Sequence, residues 1–205
     1  MNGKYNIAFI DDHSILLLGI QTVLKKYSFF QNITFFTSYQ ELKGYLTIHS
    51  IDLLVTDITM PDKNGFYIID EIKTKLPDVK IAVFTQHEGE AYFKDAYKLG
   101  INAYILKTEP NAFLPEIFLR VMNGEFYVSP EINKYLRFTQ NTECLNPVEH
   151  EIINLLTQGK SLKEIGNTLN LSGKVIEYRL KKIRKMFDSK TTAELVFKMK
   201  NKYFM

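Results

Sequence analysis

Three acidic side chains stand at the ends of two apolar runs. Asp11 and Asp12 follow Tyr5-Asn6-Ile7-Ala8-Phe9-Ile10, and Asp57 follows Leu53-Leu54-Val55-Thr56. Each run reads as a buried strand that stops at its carboxylates. If the two strands are neighbours in a parallel sheet, the three negative groups converge at one strand-end crevice, where they repel and raise one another's pKa. A hard divalent cation relieves that repulsion, and an oxygen-rich, partly hydrated donor set suits Mg²⁺. A carboxylate placed beside such an ion can accept a phosphoryl group as an acyl phosphate. Thr85 and Lys107, at the ends of two further apolar runs, add a hydroxyl and an ammonium. Phosphoryl transfer asks the protein mainly for positioning and charge neutralisation, which such groups supply.

The elements that must position these residues alternate regularly. Strands are expected at 5–10, 32–37, 52–56, 80–85 and 102–106. Helices are expected at 14–26, 38–48, 64–76, 88–99 and 109–123. Five βα units in about 120 residues imply an α/β fold, a doubly wound five-stranded parallel sheet with helices on both faces. Ligands of such sheets bind outside the carboxyl ends of the strands, where the strand order reverses. Asp11, Asp12, Asp57, Thr85 and Lys107 all fall at that edge. Gly124 closes the fifth helix, and periodicity is then lost. Glu125-Phe126-Tyr127-Val128-Ser129-Pro130 is apolar enough to pack on the first domain or to start a short helix, and the polar 139–143 reads as linker.

Residues 145–205 carry 12 Lys and Arg against 6 Asp and Glu, a net of +6; the preceding residues carry 14 against 17, a net of −3. This asymmetry, hidden in a whole-chain charge of +3, points to a polyanionic partner for the second part. A single cysteine, Cys144, excludes an intramolecular disulfide and a cysteine-based zinc site. The first apolar run is interrupted by Asp11, Asp12 and His13, unlike a signal peptide, and no apolar stretch approaches the about 20 residues that span a bilayer. A cytoplasmic protein is expected.

The motifs Asp11-Asp12-His13, Asp57-Ile58-Thr59-Met60-Pro61 with Gly65, Thr85 and Lys107 resemble the receiver domain of bacterial two-component response regulators, over residues 4–123. That resemblance implies a flavodoxin-like fold and a sensor histidine kinase as phosphoryl donor. Asp57 would be the phosphoacceptor, and Asp11 or Asp12, Asp57 and the backbone carbonyl of Thr59 would hold Mg²⁺. Thr85 and Lys107 would bind phosphoryl oxygens, and Thr85 with Tyr104 would form the switch pair. Two departures stand out. Gln86 follows Thr85 where the family usually has a small residue. Thr59 and His87 occupy positions that tune dephosphorylation in receivers generally, so an altered phosphoryl lifetime is expected.

Beyond residue 145 the pattern is helical throughout. Asn146-Pro147-Val148-Glu149, Ser161-Leu162-Lys163-Glu164 and Thr191 with Glu194 are capping boxes, and Ser172 after Leu171 is a further N-cap. Four short helices therefore form a small all-α domain, in which 161–169 and 172–187 have the layout of a helix-turn-helix. On a helical wheel, Ile176, Leu180, Ile183 and Phe187 make the core stripe of the second of these helices. Lys174, Tyr178, Lys181 and Lys185 line the opposite face, flanked by Glu177, Lys182 and Arg184. Such a face can pair with DNA phosphates and reach base edges, or can be an ordinary solvated surface.

Leu145 to Leu195 also resembles the LuxR/NarL-type DNA-binding domain. The resemblance is carried by Gly159, Lys163-Glu164-Ile165-Gly166, Leu171-Ser172, Lys174-Val175-Ile176 and Thr192-Ala193-Glu194-Leu195-Val196. Glu177 and Arg179 depart from the family's Lys and His in the reading helix, so the family's binding sites should not be assumed. The implied organisation is a receiver at 1–123, a linker at 124–143 and a helix-turn-helix domain at 144–205. The implied protein is no enzyme beyond self-catalysed transfer at Asp57. It is a transcription regulator that dimerises on activation and binds double-stranded DNA, with 191–203 a candidate dimer surface whose Leu195, Val196 and Met199 could equally be core. An adaptor whose helical domain binds a protein is the alternative, disfavoured by the +6; a metal-dependent hydrolase is a weaker third.

Overall fold

The computed structural model describes residues 4–138, 145 and 147–203; the 139–143 linker, Cys144 and the Asn146 cap lie outside the described residues. The chain divides into two compact units, Met1–Thr139 and Gln140–Met205.

In the first unit, strands β1 (Tyr5–Ile10), β2 (Phe30–Phe36), β3 (Leu53–Thr56), β4 (Lys80–Thr85) and β5 (Ala103–Leu106) alternate with helices α1 (Ser14–Leu24), α2 (Tyr39–Leu46), α3 (Gly65–Lys75), α4 (Glu90–Lys98) and α5 (Leu114–Met122). The sheet is wholly parallel, in the order β2-β1-β3-β4-β5 followed by a sixth strand, β6 (Tyr127–Val128). The expected doubly wound α/β architecture is present, with β1 and β3 as the neighbours that the acid cluster requires. The sixth strand extends the five foreseen. Two residues are too short to show alternation, and β6 exists because β5 offers it an open edge.

The sheet is buried on both faces, as parallel sheets are. Ile7, Phe9, Leu53, Val55, Phe84 and Ile105 form one core with Leu17 and Ile20 of α1 and Ile117, Phe118 and Val121 of α5. The alternate strand residues Ala8, Ile10, Leu54, Ile81, Val83 and Tyr104 point the other way and are equally buried. There Tyr104 meets Phe93 of α4 edge-on, with ring centroids 5.4 Å apart. The fifth helix is shorter than the 109–123 expected. Pro110 is followed by a single 3-10 turn, Asn111–Phe113, before α5 begins with Pro115 in its first turn. Proline is tolerated there because the first turn has no intrahelical use for its missing N–H.

Residues 124–138 fall within the expected 124–143 linker but belong structurally to the first unit, 125–130 packing on it as one of the two alternatives for that apolar stretch has it. Ser129 and Ile132 are fully buried. Ser129 N–H donates to Tyr104 O (3.0 Å), and Ser129 Oγ accepts from Leu106 N–H (2.9 Å). Both β5 groups would otherwise be unpaired at a buried edge.

The second unit is all-helical: α6 (Pro147–Thr157), α7 (Leu162–Leu169), α8 (Gly173–Met186) and α9 (Thr192–Tyr203). Its core gathers Ile152, Ile153, Ile165, Ile176, Leu180, Ile183, Leu195 and Met199. The Ser161/Glu164 capping box is fully formed, and Ser172 caps α8 through Val175 N–H. Thr191 accepts from Glu194 N–H, but the Glu194 carboxylate reaches back to Lys190 N–H. Between α7 and α8 the chain turns at Asn170, in the left-handed region at φ 53. Gly166 is required beside that turn, since a Cβ on it would lie 2.8 Å from Leu171 O.

Candidate functional site

The β1–β3 register pairs Ile10 with Thr56. Asp11 and Asp57, the next residue on each strand, therefore emerge side by side at the carboxyl edge. Asp57 N–H donates to Ile10 O across the gap (3.1 Å). Both acids are buried, and Asp12 beside them is exposed. One carboxylate oxygen from each of Asp11, Asp12 and Asp57, with a ring nitrogen of His13, lie within 4.8 Å of one another.

Lys107 spans the cluster. It follows β5, where its N–H donates to Thr85 O (2.8 Å). Its ammonium lies 2.7 Å from Asp57 Oδ2 and 2.6 Å from Asp11 Oδ2. Burial alone would lower the Lys107 pKa, but the Asp57 and Asp11 carboxylates outweigh it and hold the group above the ordinary lysine value. The ammonium meets the buried Asp11 Oδ2 on one side only, and a carboxylate oxygen offers more than one acceptor site, so that oxygen keeps unused acceptor capacity. Asp57 Oδ1 accepts from Ile58 N–H (2.6 Å). His13 was not foreseen as a partner. Its Nδ1 lies 2.9 Å from Asp11 Oδ1 and 3.0 Å from Asp12 Oδ1, bridging the two acids. Only its adjacency in Asp11-Asp12-His13 hinted at this.

The loop after β3 is held close by Gly65. Its N–H donates to Ile58 O (2.8 Å), and a Cβ there would stand 2.1 Å from Asp57 O. Asn64 caps α3 through Phe66 N–H. No larger residue at 65 would let α3 start so near Asp57.

Thr85, fully buried, accepts from His87 N–H (3.4 Å). The Tyr104 ring is turned wholly into the protein, and its hydroxyl donates to His87 O (2.8 Å). The His87 ring stacks on Tyr92, with centroids 3.8 Å apart, and its Nε2 meets Thr59 Oγ1 at 2.7 Å. Burial pushes the His87 pKa down; Asp57 opposes and Lys107 adds to the shift. Thr85, Tyr104 and Thr59 are thus joined through one histidine. Gln86, between Thr85 and His87, is exposed.

On the helical unit, Lys174, Glu177, Tyr178, Lys181, Lys182 and Lys185 are all exposed along α8, Tyr178 to 72%. The expected core stripe is present in Ile176, Leu180 and Ile183, while Phe187 is half-buried because α8 ends at Met186. Lys182 differs from its neighbours. Its ammonium lies 2.8 Å from Oε1 of the buried Glu149 on α6, which fixes α8 against α6. That pairing joins residues 33 apart in sequence, and the helical wheel has no view of it. Arg179 is half-buried rather than part of the exposed face. On α9, Leu195 and Met199 are core, whereas Val196 is half-buried and Phe197 is 66% exposed.

Residues 7–118 match the response regulator receiver domain. Over 94% of its length the chain is 30% identical to the transcriptional regulatory protein ComA of Bacillus subtilis, covering 96% of that protein. It is 26% identical to the transcriptional regulatory protein DesR of the same organism, over 96% of this chain and 97% of that one. It is similar to the structure of RcsB from Salmonella enterica serovar Typhimurium bound to promoter rprA in the presence of the phosphomimetic BeF3⁻. That match has 25% identity and a TM-score of 0.75, over 95% of this chain and 98% of that one.

Proposed function

This chain belongs to the response regulators of the LuxR/NarL type, and from that premise we propose that it is a DNA-binding transcription regulator switched by phosphorylation at Asp57. The observation that carries the reading is the Lys107 ammonium shared between buried Asp11 and Asp57 at one strand-end crevice. A sensor histidine kinase is the donor. An Asp57 carboxylate oxygen bonds to phosphorus as the phosphorus–nitrogen bond of a phosphohistidine breaks, and the electron pair returns to the imidazole.

Lys107, kept protonated by its two carboxylates, is positioned to pass from the Asp57 oxygen to a phosphoryl oxygen. The Thr85 hydroxyl donates to another. Drawing Thr85 inward disturbs its contact with His87 N–H, and with it the carbonyl to which Tyr104 is bonded. Tyr104 thereby links the phosphoryl group to the surface around α4. The donor set of Asp11, Asp12 and Asp57 fits a hard cation, as does the spare acceptor capacity of Asp11 Oδ2. Asp11, Asp12 and Asp57, with the Thr59 backbone carbonyl, would hold Mg²⁺, which would supply neutralisation of the phosphoryl charge.

The output is double-stranded DNA. Lys174, Glu177, Tyr178, Lys181 and Lys185 form the contact face of α8, and Lys182, tethered to Glu149, holds its angle as well as adding charge. A homodimer places two copies of α8 in major grooves about one helical turn apart. The exposed Phe197 and half-buried Val196 of α9 supply an apolar surface for pairing.

Gel filtration and genomic DNA pull-down, with and without beryllium fluoride and Mg²⁺, test the reading. The phosphoryl mimic is expected to give both dimer and enriched fragments. Asp57→Ala is expected to give neither. If Asp57→Ala bound DNA as the mimic-loaded wild type does, phosphorylation control would be wrong. Dimerisation without DNA would move the output to a protein partner.

A further inference from the structure

The stretch after α5 holds the chain on both sides of Lys107. A regular parallel ladder would run on from β6 with the Ser129 carbonyl accepting from Leu106 N–H. Here it cannot. Pro130 has no N–H, and the Ser129 carbonyl is taken by Ile132 N–H (2.9 Å) in the turn that follows. The Ser129 hydroxyl stands in for that carbonyl and accepts from Leu106 N–H (2.9 Å). Two residues earlier, the Tyr127 hydroxyl donates to Glu109 Oε1 (2.8 Å). Leu106 and Glu109 bracket the loop that carries the Lys107 ammonium.

The same stretch also reaches α4. The Phe126 ring meets Tyr97 of α4 edge-on, with centroids 5.5 Å apart. The 3-10 helix Asn133–Phe138 packs against α4 as well. That helix is tied to the switch at its other end. It begins at Glu90, three residues after His87, whose carbonyl accepts from the Tyr104 hydroxyl. One short segment is therefore fastened to the Lys107 loop and to α4 at once.

From these contacts we infer that residues 126–136 are a strap, which locks the Lys107 loop to α4 while Asp57 is unmodified and lets go of both when Asp57 is phosphorylated. The inference rests on the phosphorylation reading and deepens it, with Tyr127 and Ser129 as positioning residues that act through Lys107. In the unmodified site the ammonium stands on Asp57 and Asp11. A phosphoryl group draws it to a new oxygen and draws Thr85 away from His87 N–H. The loop and α4 then shift by different routes, and a segment fixed to both cannot follow both. The Ser129–Leu106 bond is neutral, whereas charge-assisted bonds to phosphoryl oxygens are roughly twice as strong, so the strap is what gives way. It runs on into the chain that carries the helical unit, and its release is passed on covalently.

What the modification costs the strap, the strap costs the modification, since coupling between two sites is reciprocal. Loosening the strap must therefore tighten binding of a phosphoryl mimic. A residue needed only for packing has the opposite effect or none.

The test is hydrogen exchange of the full chain, read by mass spectrometry with and without beryllium fluoride and Mg²⁺, beside a ¹⁹F NMR titration of beryllium fluoride. The variants are Ser129→Ala, Phe126→Ala and, as a control, Ile48→Ala, an exposed apolar residue away from the strap. In the unaltered chain, loading is expected to speed exchange of the 127–136 amides and of Leu106, while β1 and β3 stay protected. Ser129→Ala is expected to bind beryllium fluoride about fivefold more tightly, the worth of one hydrogen bond. Phe126→Ala should gain about twofold, the worth of one exposed ring pair, and Ile48→Ala should match wild type. Phe126 is exposed, so that variant keeps the test decisive if Ser129→Ala fails to fold. Uptake of beryllium fluoride without faster exchange of the 127–136 amides overturns the strap and spares phosphorylation at Asp57. So does a Phe126→Ala chain that binds the mimic no more tightly than wild type. No uptake by the unaltered chain overturns both.

Discussion

Lys107 neutralises two carboxylates that the sheet brings together without choice, because neighbouring strands end on Asp11 and Asp57. Removing one partner of a buried ionic cluster leaves charge with nothing to meet it. Lys107→Ala is expected to cost the first unit about 3 kcal/mol in chelating buffer at pH 7. Millimolar Mg²⁺ should return part of that loss, since a divalent ion meets the same oxygens. Denaturant melts with and without Mg²⁺ check both, and a variant as stable as wild type in chelator would refute the first. Asp11, Asp12, Asp57, Thr85 and Lys107 were legible in the sequence because each interrupts or ends an apolar run at the same edge. His13, Ser129 and Glu149 were not. Their partners are chosen by packing, and nothing in a histidine beside acids, a serine before proline or a glutamate in a first helical turn announces a bond to a particular atom.

Helices and their ends were nearly all visible, since caps and periodicity are local physics, and what went unseen depends on what lies across a gap. Gly65 matched a motif, but its reason is spatial: Gly65→Ala would force a Cβ into Asp57 O. That variant is expected to displace the loop holding Asp57 and to abolish beryllium fluoride uptake, read by tryptophan-free methods such as ¹⁹F NMR. At α7, Ser161→Ala removes the cap hydroxyl and is expected to cost the helical unit about 1 kcal/mol. Glu164 completes that cap. The Ser161 side chain, with the backbone N–H beside it, holds its carboxyl below the usual carboxylate range. As pH falls, the unfolded chain takes up this proton first. The contribution is therefore present above the ordinary pKa, about 4.3, and is lost as pH drops through the lower folded value. Glu164→Gln should show a shallower fall in helical-unit stability between about pH 5 and pH 3 than wild type. Parallel acid titrations of the two proteins would contradict the assignment.

Across the whole molecule, the change from acidic to basic composition correctly marks two units, but it does not mark where the first one ends. Composition shifts at the polar 139–143, and helix periodicity stops at Gly124, so the stretch between them groups with the connector, although its apolar 125–130 allows packing on the first domain. The structure folds it onto β5, with Ser129 and Ile132 buried. A fragment ending at residue 138 is therefore expected to melt cooperatively and stay monomeric, whereas one ending at 123 should not; light scattering of the two fragments decides. The reason lies in what β6 covers. A sheet whose last strand is buried, apolar and open-edged is a template on which any extended chain can lay itself. By spending the first residues of its connector on that edge, the protein caps its own sheet. A protease cut just after α5 would then do more than separate the two units: it would leave a receiver prone to polymerise along β5.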